Sequence, residues 1–262
     1  MKIAIVQFAP VLGNPDKTIE KLETILPKCE GADLVLLPEL ANSGYNFVSK
    51  QQAWNSSEIA GEGFFSKFLI DQASILQCAI VAGLNEREDD KLYNSAILVD
   101  KNGLAGKYRK LQLFMNEPEI FEQGNLGLPM FDFMGEKIGI LICFDWMYPE
   151  LWRTLAIRGA SLILHPSNLV LPYAQLVMPS YSITNRIFIA TANRIGTEGD
   201  VTFSGKSIIT NPKAEYLCTL SAENEQVYIQ EIELSESYNK MLTPNNHAFN
   251  DRRLDVYPDL GL

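Results

Sequence analysis

Apolar runs of strand length alternate along the chain with segments whose apolar residues recur at helical spacing. A run that is apolar at every position predicts a strand that is buried on both faces. The strands predicted from such runs, or from alternating patterns, cover residues 2–8, 33–37, 78–84, 94–100, 104–111, 138–142, 161–164, 188–192, 203–210, 215–219 and 226–232.

Helices are predicted between several of these strands. Asn14 and Pro15 form a typical helix start, and Pro27 should end that helix early. Pro179 is predicted to open another helix, and the segment 54–63 is predicted to be a loop. The other predicted helices cover residues 65–76, 149–158 and 179–187.

Tight turns join some neighbouring strands. Asn102 and Gly103 are a hairpin signal, residues 211–214 predict a second hairpin, and the acidic stretch 86–90 predicts a solvated turn. Helices that alternate with strands, together with hairpins, indicate an α/β layered domain with a mixed sheet. We predict that residues 1–262 form one domain, because no linker or low-complexity run divides them.

One short pattern occurs twice. Residues 31–38 and 159–166 both contain a glycine, a buried strand and a proline. The repeat can indicate pseudo-symmetry between two halves, or it can be the general pattern of a helix followed by a strand. The general interpretation is favoured from the sequence.

Composition narrows the classes of partner. The chain of 262 residues has a formal net charge of −10 and is 47% hydrophobic. The negative charge argues against nucleic acid and anionic lipid surfaces, because both require clustered Lys and Arg. No stretch approaches the roughly 20 apolar residues of a membrane span. Neither a nucleic acid nor a membrane is therefore expected as a partner.

The positions of cysteine and histidine argue against disulfide bonds and metal sites. The four cysteines are scattered, at Cys29, Cys78, Cys143 and Cys218. Without CxxC spacing, neither a disulfide framework nor a zinc site is expected, and a reducing cytoplasm is the expected location. The two histidines leave no clustered metal ligands, and no metal is expected.

Reactive side chains stand at the ends of three predicted strands. Glu39 follows the run 33–37, Lys110 lies in 104–111, and Cys143 follows 138–142. A charged group beside a buried run needs a partner, and convergence on one cleft would supply it. Because Cys143 lies between a strand end and a helix start, a lowered thiol pKa and a nucleophilic role are predicted.

Each of these residues also has a purely structural interpretation. Cys143 can be a packed core cysteine, since free cysteines are among the most buried residues. Glu39 can be a helix N-terminal residue, and Lys110 an exposed strand residue. Taken singly, none of the three is decisive.

Taken together, three stretches resemble the signatures of the nitrilase superfamily of carbon–nitrogen hydrolases. They are Leu37-Pro38-Glu39, Tyr108-Arg109-Lys110 with the following Leu113-Phe114, and Cys143-Phe144-Asp145-Trp146. Their order and spacing agree with the family, and the resemblance runs from Lys2 to about Thr219. Three motifs in order are far more specific than any one of them.

The resemblance implies a fold and an assembly. The expected fold is a four-layer α-β-β-α sandwich, with two mixed sheets flanked by helices. Subunits of the family pair through helix faces, so a homodimer or larger homo-oligomer is expected. The polar tail 235–262 is expected to pack on the partner subunit.

The resemblance also implies a cofactor-free active site of Glu39, Lys110 and Cys143, with the cysteine as nucleophile. A second glutamate follows the lysine in the family. Glu117 fits that position best, and Glu119 is the rival. Many members have His two residues after the lysine, whereas this chain has Gln112, which puts detailed substrate analogies in doubt.

The expected chemistry follows from these assignments. Cys143 attacks an amide or nitrile carbon, while Lys110 and the backbone N–H of Phe144 stabilise the oxyanion. Glu39 carries the proton, and Glu117 positions Lys110 or the hydrolytic water.

The pocket is less well defined by the sequence. Its candidate lining residues are Tyr45, Asn46, Phe47, Trp146 and Asn168. Aromatic residues at these positions are equally plausible as packing. His165, at a strand end, is interpreted as a structural hydrogen bonder.

The leading interpretation is an amidase of small linear amides that uses a thioester intermediate. N-carbamoyl amides, as in a beta-ureidopropionase-like enzyme, and aliphatic nitriles are alternatives, because pocket shape chooses the substrate. Arg186 and Arg194 are candidates for binding the carboxylate of a carbamoyl substrate. A non-catalytic scaffold is a remote alternative that would have lost Glu39, Lys110 or Cys143.

Overall fold

Two six-stranded mixed sheets face each other at the centre of the protein. The computed structural model describes residues 1–256. Over these residues the strands are, in chain order, β1 (Lys2–Gln7), β2 (Leu34–Leu36), β3 (Ala79–Glu88), β4 (Lys91–Asp100), β5 (Gly103–Arg109), β6 (Met130–Phe133), β7 (Glu136–Ile140), β8 (Leu162–Ser167), β9 (Phe188–Asn193), β10 (Thr197–Glu198), β11 (Val201–Thr202), β12 (Ile208–Thr210), β13 (Tyr216–Thr219), β14 (Gln226–Glu231), β15 (Met241–Thr243) and β16 (Asn246–His247).

Helices cover the outer faces of the two sheets. Over residues 1–256 the α-helices are α1 (Pro15–Ile25), α2 (Lys50–Asn55), α3 (Phe64–Leu76), α4 (Pro149–Ile157) and α5 (Ala174–Asn185). Short 3₁₀ helices lie at Leu26–Cys29, Glu117–Glu119, Cys143–Met147, Leu234–Ser237 and Leu254–Val256. None of the helices in this described part of the chain has the length and apolar character needed to cross a membrane.

Both sheets have the same plan. Their strand orders are β14-β1-β2-β3-β4-β5 and β13-β12-β9-β8-β7-β6. In each sheet three parallel strands, β1 to β3 or β7 to β9, are flanked by antiparallel ones. The twice-occurring sequence pattern falls on β2 and β8, which are the middle strands of these trios. The topology therefore favours pseudo-symmetry over the general interpretation.

The central residues of the parallel strands are mostly apolar because both faces of these strands are buried. In β1, Ile3 and Ile5 point into the core between the sheets, where they join Ile140 of β7. Ala4 and Val6 point the other way, into a second core beneath α1 and α3. The layers are thus helix, sheet, sheet and helix, which is the four-layer sandwich expected from the sequence.

Two predicted helix boundaries are wrong. The segment 54–63 begins inside α2, a single short helix that Ser49 caps by accepting a bond from the Gln52 N–H. Pro179 does not open a helix but lies inside α5. The carbonyl of Gln175, four residues earlier, has no proline N–H to bind and instead accepts a bond from the Tyr216 hydroxyl at 2.9 Å. A distant side chain therefore makes the proline tolerable.

The acidic stretch 86–90 is not a solvated turn throughout. Glu86 lies inside β3 and is only 1% exposed, because the buried Arg109 and the partly buried Lys107 neutralise it. The turn itself comes after Glu88, so β3 and β4 are both longer than predicted. Conversely, the strand predicted at 203–210 is reduced to β12.

The described part of the tail contacts its own chain. The Phe249 ring lies 5.2 Å from the guanidinium carbon of Arg153 and 5.3 Å from the ammonium of Lys240. Lys240 also donates to the carbonyl of Arg186, just after α5. Residues 257–262 of the predicted tail lie outside the described residues, and packing on a partner subunit stays a prediction.

Candidate active site

Glu39 reaches the site because β2 ends three residues before it. Leu37 and Pro38 continue beside β3, where the Gly83 N–H donates to the Pro38 carbonyl at 2.9 Å. A Cβ on Gly83 would lie 2.4 Å from the Glu39 Cα, so only glycine lets the two backbones approach this closely. The carboxylate is fully buried.

Lys110 follows β5 and connects two carboxylates. Its Nζ lies 2.6 Å from Glu39 Oε1 and 2.7 Å from Glu117 Oε1, and all three side chains are buried. The Asn94 side-chain amide donates to Glu39 Oε1 at 2.7 Å, and its backbone carbonyl accepts the Lys110 N–H. The sequence places Asn94 in a predicted strand and gives no sign that it belongs to the site.

The two candidates for the second glutamate differ in burial and in contacts. Glu117 begins a 3₁₀ helix and accepts the Phe114 N–H through its second oxygen at 2.9 Å. This fixes the carboxylate toward Lys110. Glu119 is exposed on the other side of the same turn.

Cys143 stands on a strained turn directly after the second sheet. Its φ is +41°, in the left-handed region that non-glycine residues rarely adopt. Such strain persists only where the surroundings hold it in place. Here the Cys143 carbonyl is bonded to His165 Nε2 at 2.9 Å, and the Asn168 N–H is directed at the sulfur.

Asp145 connects the turn that carries Cys143 to the segment that carries Lys110 through hydrogen bonds. One of its oxygens accepts the Tyr108 hydroxyl at 2.7 Å and the Ile142 N–H at 2.9 Å, and the other accepts the Gln112 N–H at 3.1 Å. Tyr108 and Gln112 flank Lys110 on both sides. Asp145 lies within the recognised signature, but its bridging role depends on contacts that the sequence does not reveal.

The predicted lowering of the thiol pKa is wrong. Burial raises the pKa of Cys143 well above its usual value, Glu39 raises it further, and Lys110 only partly offsets both. Burial would lower the pKa of Lys110, but Glu117 and Glu39 outweigh it and raise that pKa. The site therefore holds a neutral thiol beside a stable ammonium at neutral pH.

The pKa of Glu117 is raised. Burial raises its pKa to about 7, with Lys110 opposing the shift and Glu39 adding to it. Because two carboxylates share one ammonium here, the charge of Glu39 adds to the effect of burial on Glu117.

Two small cavities reach this cluster. The first opens on the sulfur, has a volume of about 20 Å³, and is lined by residues that include Phe114, Cys143, Phe144, Trp146, Asn168 and Val170. The second is of similar size and is lined by residues that include Tyr45, Asn46, Phe47 and Glu117. Each has room for about one water molecule. The predicted pocket residues thus divide between the two cavities.

Several buried polar atoms at the site lack a hydrogen-bond partner in the described part of the chain. They are Glu39 Oε2, the Tyr45 hydroxyl, Asn94 Oδ1, and both polar side-chain atoms of Asn168. Unpaired buried polar atoms are costly, so a cluster of them marks a place prepared for a polar ligand.

Three other sequence candidates lie outside the reacting cluster. Arg194 is paired with Glu198, and Arg186 donates to backbone carbonyls. Burial lowers the pKa of His165 to about 4, so this residue is neutral and bonded to Thr191 and to the Cys143 carbonyl. Residues 1–256 contain no group of three or more His, Cys, Asp or Glu side chains arranged to hold a metal ion.

Comparison with known protein families identifies the family to which this site belongs. A family model described as carbon-nitrogen hydrolase matches residues 2–239. The chain belongs to the carbon–nitrogen hydrolase family. This confirms the resemblance predicted from the three signatures.

Relatives of this carbon–nitrogen hydrolase carry both amidase and nitrilase names. A nitrilase of Pyrococcus abyssi (strain GE5 / Orsay) is 43% identical, over 98% of this chain and 99% of that protein. A 2-oxoglutaramate amidase of Bacillus subtilis (strain 168) is 28% identical, over 97% and 98%.

A solved amidase from Nesterenkonia sp. superposes with a TM-score of 0.81, at 25% identity, over 99% of this chain and 96% of that chain. A variant of that amidase carries the acetamide moiety of fluoroacetamide, added covalently at its active-site cysteine. The four-layer fold of this carbon–nitrogen hydrolase is thereby confirmed.

Proposed function

We propose that this hydrolase cleaves the carbon–nitrogen bond of small linear amides through a thioester on Cys143. The observation that carries the proposal is the Lys110 ammonium, bonded to both Glu39 and Glu117 beside a buried cysteine on a strained turn. The adduct on the cysteine of the Nesterenkonia amidase supports the same chemistry.

The first step is addition of sulfur to the carbonyl carbon. Because burial keeps the Cys143 thiol protonated, Glu39 removes its proton as the S–C bond forms. The carbonyl π electrons move to oxygen. The Lys110 ammonium and the backbone N–H of Phe144 stabilise that oxyanion.

The second step releases the leaving group. The oxyanion re-forms the carbonyl, Glu39 gives its proton to the amide nitrogen, and the C–N bond breaks. Ammonia or an amine departs and the acyl group remains on sulfur. Glu117 fixes the position of Lys110 throughout, through the 2.7 Å contact.

The third step hydrolyses the thioester. Glu39 takes a proton from water as the hydroxyl adds to the acyl carbon. The new oxyanion collapses, the C–S bond breaks, and Glu39 returns the proton to sulfur. The products are a carboxylic acid and the starting enzyme.

The cavity at the sulfur favours a short, uncharged acyl group. Phe114, Trp146 and Val170 present mainly apolar surface around a volume of about 20 Å³. A carbamoyl substrate with a free carboxylate would need a nearby cation. Arg186 and Arg194 are engaged elsewhere, so carbamoyl acids are the less favoured alternative.

Nitriles are the second candidate substrate, because the 43% identical relative is named a nitrilase. Addition of Cys143 to a nitrile carbon gives a thioimidate. Water then converts it to the same thioester with loss of ammonia, so the same three residues would serve.

Ammonia release and intact-protein mass measurement test the proposal. The enzyme is offered short amides, short nitriles and N-carbamoyl compounds, and fluoroacetamide is used to trap an adduct. We expect fastest release from short amides and a mass increase located on Cys143. Cys143→Ala should abolish both, whereas the matched control Cys218→Ala should abolish neither. Full turnover in Cys143→Ala, or an adduct elsewhere, would overturn the mechanism.

We also propose that two copies of the chain pair in the cytoplasm, where the free cysteines would stay reduced. Large apolar side chains are exposed near the start of α5, including Tyr173 at 54% and Leu176 at 68%. Pairing through this helix face would bury them. Light scattering should give twice the chain mass, and Leu176→Glu should reduce it. A monomeric mass for the native protein would contradict the pairing.

A further inference from the structure

A buried ion pair lies behind Tyr45, outside the reacting cluster. Arg194 Nη1 lies 2.5 Å from Glu198 Oε1, and the two side chains are 1% and 5% exposed. The Arg194 guanidinium also covers the ring of Phe203, 4.0 Å from its centroid. Both charges are thus neutralised away from solvent, and neither is available to bind a ligand directly.

The second oxygen of Glu198 holds the loop that carries Tyr45. It accepts the N–H of Tyr45 at 3.0 Å and the N–H of Asn46 at 2.8 Å. The backbone carbonyl of Glu198 accepts the Asn46 side-chain amide at 2.8 Å. Three hydrogen bonds from one residue therefore fix two consecutive residues of the loop.

Gly44 makes this approach possible. Its φ is +75°, and a Cβ at this position would lie 2.6 Å from Glu198 Oε1. A side chain here would push the loop away from the carboxylate. The sequence thus supplies both the acceptor and the space that it needs.

The Tyr45 ring connects the ion pair to the reacting cluster. It packs edge-on against Phe203, with centroids 5.9 Å apart, and lines the same cavity as Glu117. Its hydroxyl is buried and makes no hydrogen bond of normal geometry within residues 1–256, although it lies near enough to the Glu117 carboxylate to interact with it. Burial, Glu117 and Glu39 raise the pKa of Tyr45 well above its usual value, so the hydroxyl remains a donor.

We propose that Arg194 and Glu198 are positioning residues that hold the Tyr45 hydroxyl for hydrogen bonding to the substrate. The ion pair acts only through Tyr45, so its contribution should vanish when the hydroxyl is absent. This inference rests on the proposed hydrolase function.

A double-mutant cycle tests the dependence. Tyr45→Phe removes one hydrogen bond to substrate and should lower kcat/KM about tenfold. Glu198→Gln removes the charge that fixes the loop and should lower kcat/KM by a similar factor. The loss should be distributed between kcat and KM as it is in Tyr45→Phe. The double variant should resemble Tyr45→Phe alone. Losses that multiply to about a hundredfold would overturn the proposal.

Glu58 provides a matched control. It is also a buried carboxylate that accepts two consecutive backbone N–H groups, those of Phe65 and Ser66, each at 2.8 Å. Glu58→Gln should leave kcat/KM within about twofold in either background. An effect of Glu58→Gln that also disappears with Tyr45→Phe would count against a specific role for Glu198.

Gly44→Ala gives a second route if Glu198→Gln does not fold. It should also lower kcat/KM in the native background and not in Tyr45→Phe, and multiplying losses would again refute the inference. An inactive native enzyme with every amide and nitrile would instead refute the proposed function. The two failures are therefore distinguishable.

Discussion

Arg109 and Lys110 are consecutive residues that meet two different buried clusters. Because successive side chains of a strand point to opposite faces, the two cations diverge. Arg109 binds Glu86 through Nε at 2.9 Å and Nη2 at 2.7 Å, and Lys107 adds a contact at 2.6 Å. Lys110 binds Glu39 and Glu117 at similar distances.

The clusters differ in how completely their carboxylates are satisfied. Burial alone would raise the pKa of Glu86, but bonds from Arg109, Lys107 and Ser95 outweigh it and lower that pKa. In the other cluster Glu39 Oε2 has no partner among the described residues, and the pKa of Glu117 is raised to about 7.

The ratio of charges explains this difference. In the first cluster two cations, Arg109 and Lys107, balance Glu86 and the half-exposed Glu88. In the second cluster two carboxylates share the single cation Lys110, so it has an excess of negative charge. Buried negative charge is relieved by taking up a proton. A neutral thiol lies beside this cluster, which suits the proposed proton transfer from Cys143. A satisfied cluster thus stabilises the fold, and an unsatisfied one is suited to chemistry.

Glu39→Gln, in the reactive cluster, should have the largest effect on activity. The amide cannot accept the thiol proton, so kcat/KM for a short amide should fall at least about 10³-fold, or about 4 kcal/mol of barrier. Stability should be unchanged or raised, because one of two like charges is removed. Steady-state kinetics and urea unfolding measure the two. Near-native turnover would contradict the assigned role of Glu39.

Glu86→Gln should show the opposite pattern. Arg109 and Lys107 lose their fully buried partner, so the free energy of unfolding should fall by about 3 kcal/mol. Turnover of the folded enzyme should change less than about tenfold, because the cluster lies on the other face of the strand. Urea unfolding and active-site-normalised kinetics would test this. If activity fell as far as in Glu39→Gln, the distinction between the clusters would fail.

The sequence alone indicates the reactive cluster, but not the one around Glu86. The apolar runs before Glu39 and Cys143 predict two strand ends to within two residues, since parallel strands buried on both faces have a distinctive pattern. The signatures then indicated one shared site. The prediction of a lowered thiol pKa is wrong because the sequence pattern shows a helix start beside Cys143 but not the full burial that raises its pKa.

Other features depend on contacts between distant residues. Glu86 resembles a surface charge until Arg109 and Lys107 are brought beside it by the β3-β4-β5 ladder. Pro179 resembles a helix start until the Tyr216 hydroxyl satisfies the carbonyl that it leaves free. Local patterns cannot contain this information, because the partners are far apart in the chain.

His165→Gln tests whether a buried, hydrogen-bonded group outside the reacting cluster contributes to stability. The pKa of His165 is about 4 in the folded protein, below the ordinary value of about 6.5. The unfolded chain therefore binds more protons between these values, and stability falls as the pH is lowered through them. The native protein should lose about 1.5 kcal/mol between about pH 6.5 and pH 5 from this group.

His165→Gln keeps a donor for the Cys143 carbonyl but cannot titrate. Subtracting its unfolding free energy from that of the native protein at each pH isolates the contribution of His165. A difference that stays constant from about pH 6.5 to pH 5 would exclude the residue as the source of acid sensitivity.

Glu117→Gln tests the proton affinity of the reactive cluster with the smallest expected effect. As the pH falls through about 7, Glu117 takes up a proton and no longer competes for the Lys110 ammonium. Glu39 then pairs more strongly with Lys110 and accepts the thiol proton less readily, so kcat/KM should decline. The substituted amide does not titrate, and one negative charge is removed. The acidic limb of the pH–kcat/KM profile should therefore move down by about one pH unit, equivalent to about 1.4 kcal/mol. Profiles from about pH 5 to pH 9 would show it, with Glu119→Gln as the exposed control. An unmoved limb in Glu117→Gln, or an equal shift in the control, would mean that excess charge at Lys110 does not set the acidity of the site.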